Sequence, residues 1–178
     1  MTPVQIALWT VLGVALVISV VTDVLRRRIL DIVTYPLMVI ALGVRVWTEG
    51  VGDLEKGLIS GVVSGVGLAV LLVPGALRGK MGWGDVKLMG GVGAVLGFPA
   101  VMAAAAFISL AGAFQAVVTI IWKGEVWDTL SALLRRWAVR ARLLSADAAP
   151  AAQKHIPYGV AIALGTFWAM WWQKTNSS

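Results

Sequence analysis

From Leu88 to Trp122 the chain carries no charged side chain, and Lys87 and Lys123 close the run at its two ends. As one helix rising 1.5 Å per residue, the run would reach about 50 Å, well beyond the roughly 30 Å hydrocarbon core of a bilayer. It therefore has to turn back. Gly97-Phe98-Pro99 is the natural break, because proline interrupts the helical hydrogen-bond ladder and glycine favours a turn. A short span starting near Asp85 and a longer one from about Ala100 to Ile121 result.

Four more apolar segments complete an all-α, polytopic membrane fold of about six transmembrane helices, with residues 1–178 forming a single membrane-embedded domain. Val4 to Thr22 has no basic residues ahead of it and Arg26-Arg27-Arg28 behind it, so it is expected to be a retained span and not a cleaved signal peptide. The second segment runs from about Ile32 to Trp47, with Arg45 placed to snorkel towards the interface. Gly57 to Leu77 is uncharged. Its Gly57, Gly61 and Gly65, four residues apart, suit close approach by a neighbouring helix or, as a second use, a groove for a substrate helix. The last segment runs from about Ile156 to Trp172. Only 13% of the residues are charged and 59% are hydrophobic, against about 25% charged in soluble domains.

Charge placement tests the span count independently. Of the 15 lysines and arginines, all but Arg45, Lys56 and Lys174 fall in the loops after spans one, three and five. The positive-inside rule puts those loops in the cytoplasm and both termini outside. Were Leu88 to Trp122 a single span, the richest basic loop would face outward. The net charge of +6 is thereby assigned to cytoplasmic loops against anionic lipid, not to nucleic-acid binding. Between Glu125 and Ala146, the residues Trp127, Leu130, Leu134, Trp137, Ala141 and Leu144 recur at helical spacing, with Arg135, Arg136, Arg140 and Arg142 largely on other faces. That pattern predicts a basic amphipathic helix in the membrane interface. Trp47, Trp122, Trp168, Trp171 and Trp172 fall at span ends, as an aromatic belt requires.

The chain has no cysteine and one histidine, His155. Disulfides, thiolate zinc sites and cysteine nucleophiles are excluded, and a lone histidine builds no histidine-based metal centre. No metal and no cofactor is expected. Two acids remain in costly places. Asp23 ends the first apolar run and Asp85 begins the fourth, inside Gly82-Trp83-Gly84-Asp85-Val86-Lys87-Leu88. Acids at the edge of an apolar span are functional-site hypotheses by default, and the loop charges place both on the cytoplasmic face. Two nearby carboxylates can share one proton, so that one activates water while the other polarises a carbonyl. Gly82 and Gly84 would permit unusual backbone angles and close approach by an extended strand. Simpler readings stand beside these: Asp85 as a helix N-cap, Asp23 as a partner of the adjacent arginines, and His155 as a surface residue. Asp31, on the same side, is a rival for the role of Asp23 and also an ordinary N-cap.

At these residues the chain resembles the type IV prepilin peptidases, the GxGD class of membrane aspartyl proteases, and most closely the short forms associated with tight-adherence pili. Gly82 to Leu88 is similar to the family's second catalytic segment. Thr22-Asp23-Val24-Leu25-Arg26-Arg27-Arg28-Ile29 is similar to the first, and His155-Ile156-Pro157-Tyr158-Gly159 to a Pro-aromatic-Gly segment near the family's C-terminus. The first motif departs from the family in reading Ile29-Leu30-Asp31 in place of Ile-Pro-Asn.

The resemblance implies a bacterial inner-membrane endopeptidase that removes the leader of prepilin or pseudopilin helices at the cytoplasmic face. Asp23 and Asp85 would be its catalytic pair, Gly82, Trp83, Gly84 and Lys87 its motif residues, and Asp31 and Pro157 secondary candidates. Larger family members carry a paired-cysteine insert linked to N-methylation; without cysteine, methyl transfer is not expected of this chain. The competing functions are a proton-coupled transporter using the same acids, or a scaffold subunit of a secretion machine that needs neither acid. Nothing in the sequence sets an oligomeric state.

Overall fold

The computed structural model describes residues 3–26, 29–79, 81–122, 131 and 158–176. Within them the protein is an all-α, polytopic membrane protein. Its helices are α1 (Pro3–Arg26), α2 (Asp31–Glu49), α3 (Gly57–Leu77), α4 (Trp83–Leu96), α5 (Ala100–Trp122) and α6 (Gly159–Asn176). Of these, α1, α2, α3 and α5 are long and apolar enough to cross a membrane. The long uncharged run does break where glycine and proline stand: α4 stops at Leu96, Gly97 caps it with φ 68°, and α5 starts at Ala100. The interfacial helix expected over 125–146 lies outside the described residues.

Two compact units make up the chain, residues 1–112 with 156–178 and residues 113–155. The described part of the second is the end of α5, where Thr119 Oγ1 donates to the Gln115 carbonyl at 2.7 Å, and residue 131.

The shortest described helix is the centre of the first unit. Eleven of the 14 residues of α4 are buried, as expected of a helix apolar on all sides. At about 21 Å it is shorter than the hydrocarbon core, and it lies walled by α3 and α2. Small residues set how near the walls come. A Cβ on Gly93 would run into the Ser64 carbonyl of α3, and one on Gly65 would lie 2.8 Å from the Gly90 carbonyl of α4. Gly61 and Gly65 thus serve the helix contact, and with Met38, Leu42 and Ala69 they also line an open apolar cavity of about 190 Å³. Gly57 does not share their role: with φ 74° it closes the α2–α3 turn, where a Cβ would meet the Gly50 carbonyl at 2.7 Å. The four-residue series is two packing glycines and one turn glycine.

Arg45 has partners that its sequence position did not suggest, because α4 ends beside it. Arg45 Nε donates to the Ala94 carbonyl and a terminal nitrogen donates to the Val95 carbonyl, both at 2.9 Å. The last carbonyls of a helix lack intrahelical partners, and a cation there meets the negative end of the helix dipole. Glu49 lies 3.7 Å from the guanidinium and accepts the Gly57 N–H at 2.7 Å, which ties α2, α3 and α4 together at this end. Arg45→Met is expected to lower stability by about 2 kcal/mol, the scale of charge-assisted hydrogen bonds lost from a part-buried group. Thermal unfolding in detergent would read it as a lower midpoint.

The outer surface is apolar, and Trp47 and Trp122, each 91% exposed, stand at helix ends. α6 continues to Asn176, past the end read from its hydropathy. Trp168 is therefore inside the helix, stacked on Phe107 with ring centroids 5.2 Å apart, and serves packing as well as any belt.

Candidate active site

The end of the bundle opposite Arg45 gathers the last turn of α1 and the first turns of α2, α4 and α6. On α1 the buried residues Leu8, Leu12, Ala15, Leu16, Ser19 and Asp23 form one stripe, so the helical period that buries the apolar side chains carries Asp23 inward too. Asp23 is 3% exposed. Its Oδ2 accepts the backbone N–H of Gly159, the first residue of α6, at 3.0 Å.

Asp85 is equally buried, 3% exposed. It is not the N-cap of α4, the simpler reading of its position; Gly82 holds that place. Asp85 reaches back instead, its Oδ2 accepting the Gly82 N–H at 3.0 Å while its own N–H donates to the Gly82 carbonyl at 3.2 Å. This is the reach of an N3 acid in a capping box. The second oxygen, Oδ1, is buried and has no hydrogen-bond partner among the described residues.

Asp23 and Asp85 lie close enough for a charge on one to be felt by the other. Among the described residues neither is in an ion pair. Arg26 is exposed, and Arg27 and Arg28 lie outside the described residues. Burying two carboxylates is costly unless other groups compensate, and among the described residues each accepts one backbone N–H.

Asp31 is in a different situation. Leu30 occupies the N-cap of α2 with extended backbone, so the plain N-cap reading of Asp31 gives way to a first-turn position. Its two carboxylate oxygens lie 2.8 and 2.7 Å from Lys87 Nζ, which also sits 5.0 Å from the Tyr35 ring centroid. This ion pair is on the rim, with side chains 56% and 31% exposed, and it joins α2 to α4 beside the buried acids. Lys87 and Asp31 thus answer each other.

The two motif glycines differ from each other in conformation and surroundings. Gly82 has φ −76° and ψ 148°, an extended backbone open to any residue. Gly84 is helical, and its missing Cβ makes room for Ile29 of the α1–α2 connection, which would lie 2.9 Å from a Cβ there. The close approach at Gly84 is used by the chain's own backbone turn. Trp83 begins α4 and is 54% exposed at the same end of the bundle. Pro157 and His155 lie outside the described residues.

Gly159 is the site contact that sequence reasoning did not single out. The Pro157-Tyr158-Gly159 segment at the start of the last helix was the available signal, but its pairing with Asp23 spans most of the chain. Tyr158 adds to the enclosure, packing against the cluster of Ala76, Met81 and Val86.

A family model for type IV leader peptidases matches residues 10–117, more than half the chain, and the matched segment contains both buried acids. The chain belongs to the type IV leader peptidase family. Comparison with curated proteins and with solved structures gives no match. Family membership supports leader-peptidase activity in general and agrees with the apolar, membrane-spanning helices. The match ends in α5, so the Gly159 contact to Asp23 comes from beyond the matched segment.

Proposed function

We propose that the chain is an aspartic-type endopeptidase in which Asp23 and Asp85 act as one pair on the leader of a prepilin-like helix. The observation that carries this reading is the pair itself: two buried carboxylates from helices far apart in sequence, at one end of the bundle and without an ion-pair partner among the described residues. One carboxylate takes a proton from water as the water oxygen attacks the scissile carbonyl carbon. The other, protonated, donates to the carbonyl oxygen. When the tetrahedral intermediate collapses, the C–N bond breaks and the leaving amine takes up a proton from the pair. Asp85 Oδ1, buried and without a hydrogen-bond partner among the described residues, supports a role in contacting substrate.

The distribution of basic residues supports six spans in a bacterial inner membrane, with this end of the bundle on the cytoplasmic side, both termini outside, and anionic lipid against the basic loops. The substrate would be an apolar pilin or pseudopilin helix. Transport sites, by contrast, usually sit near the bilayer midplane at broken helices, whereas both acids stand in terminal turns.

The test is incubation of the purified protein with a prepilin, with leader loss read by mass. A discrete cut at one bond is expected; an intact prepilin in the presence of folded protein would contradict the proposal. Asp31→Asn is expected to slow the reaction by less than about tenfold, because an exposed ion pair contributes little. Rates for the purified variant against wild type would check this.

A further inference from the structure

We infer that Gly159 is a positioning residue for Asp23: the first amide of α6 holds the carboxylate, and only glycine leaves room for it there. The inference rests on the reading of Asp23 and Asp85 as the reacting pair. The Gly159 N–H donates to Asp23 Oδ2 at 3.0 Å, in a buried contact. A Cβ on Gly159 would lie 2.6 Å from that same oxygen and 3.2 Å from Asp23 Cβ and Cγ. The backbone and the carboxylate are thus in contact along the whole end of the side chain.

Gly159 is helical, so no unusual backbone angle calls for glycine at this position. The requirement comes from space, and the occupant of that space is one of the two acids. The two carboxylates are held in the same manner, each by one backbone N–H at 3.0 Å from the start of a helix, Gly82 for Asp85 and Gly159 for Asp23. For Asp85 the donor is the N-cap residue of its own helix, so the acid is fixed locally. For Asp23 it comes from another helix, so the separation of the pair depends on how α6 begins. A methyl group at Gly159 would push the carboxylate off the amide and change its placement relative to Asp85.

The test compares purified wild type, Gly159→Ala, Gly13→Ala and Asp85→Asn on a prepilin, separating kcat from KM. Gly13 is a control in the same pair of helices, where a Cβ would meet only the Phe167 ring at an ordinary 3.6 Å. Gly159→Ala is expected to lose about 100-fold in kcat, the scale of an ångström-sized misplacement, with KM nearly unchanged, while Gly13→Ala stays near wild type. Wild-type kcat in Gly159→Ala beside an inactive Asp85→Asn overturns the inference and leaves the pair intact. An active Asp85→Asn overturns the pair instead.

A second measurement does not need the glycine variant to fold. Tyr158-Gly159 is the sole Tyr-Gly step in the sequence, so carbonyl-13C tyrosine with 15N glycine isolates the Gly159 amide by NMR. Its proton resonance is expected to move upfield in Asp23→Ala and to stay in place in Asp31→Ala. An unmoved resonance in Asp23→Ala overturns the inference.

Discussion

Replacing Asp85 with asparagine is expected to leave a folded, membrane-inserted protein that removes leaders about 10⁴-fold more slowly than wild type, the upper range for loss of acid–base catalysis. Asparagine is close to aspartate in shape. Its amide oxygen can still accept the Gly82 N–H that Asp85 Oδ2 now accepts at 3.0 Å. An unpaired buried carboxylate is costly to desolvate, and the neutral amide removes that cost. Loss of activity would then come without loss of structure. Thermal unfolding in detergent checks the first half, and the rate of leader loss checks the second. A folded Asp85→Asn with wild-type turnover would end the proposal.

The second large effect concerns stability. Gly93→Ala is expected to destabilise by about 3 kcal/mol, the upper end of ordinary overpacking, because the new methyl group would enter the Ser64 carbonyl group of α3. Backbone cannot rotate away as a side-chain tip can, so α3 and α4 must separate. They are the most extensively packed pair of helices in the first unit, and α4 also carries Asp85. Gly67→Ala is the matched contrast: nothing lies within 4 Å of a Cβ there, and alanine gains about 1 kcal/mol over glycine within a helix. Unfolding midpoints are therefore expected to fall for the first variant and to hold or rise for the second. Equal midpoints would contradict the account of α4 as a helix walled in by backbone contact.

Much of the fold was legible because its signals are local. The bounds of α3 follow an uncharged run, and the α4–α5 break follows Gly97 and Pro99. The buried stripe ending at Asp23 is a period of the sequence itself. What stayed hidden depends on partners far along the chain. The partners of Arg45, the Ala94 and Val95 carbonyls in the last turn of α4, lie some fifty residues along the chain. The packing of Ile29 on Gly84 is invisible to spacing, and Asp31 looks like a cap until Lys87 arrives from α4. The Gly159 contact with Asp23 belongs to this second kind. A glycine's spacing suggests that something comes close, but the identity of the neighbour depends on the tertiary packing.

The central claim is that Asp23 and Asp85 work as one unit, and a double-substitution comparison measures it most directly. Purified wild type, Asp23→Asn, Asp85→Asn, the double variant and Asp31→Asn would be incubated with one prepilin and leader loss timed by mass. Residues that act together lose their function together, so both single variants and the double variant are expected to fall to the same residual rate, with Asp31→Asn close to wild type. Losses that multiply in the double variant, or an inactive Asp31→Asn beside an active Asp23→Asn, would contradict the account.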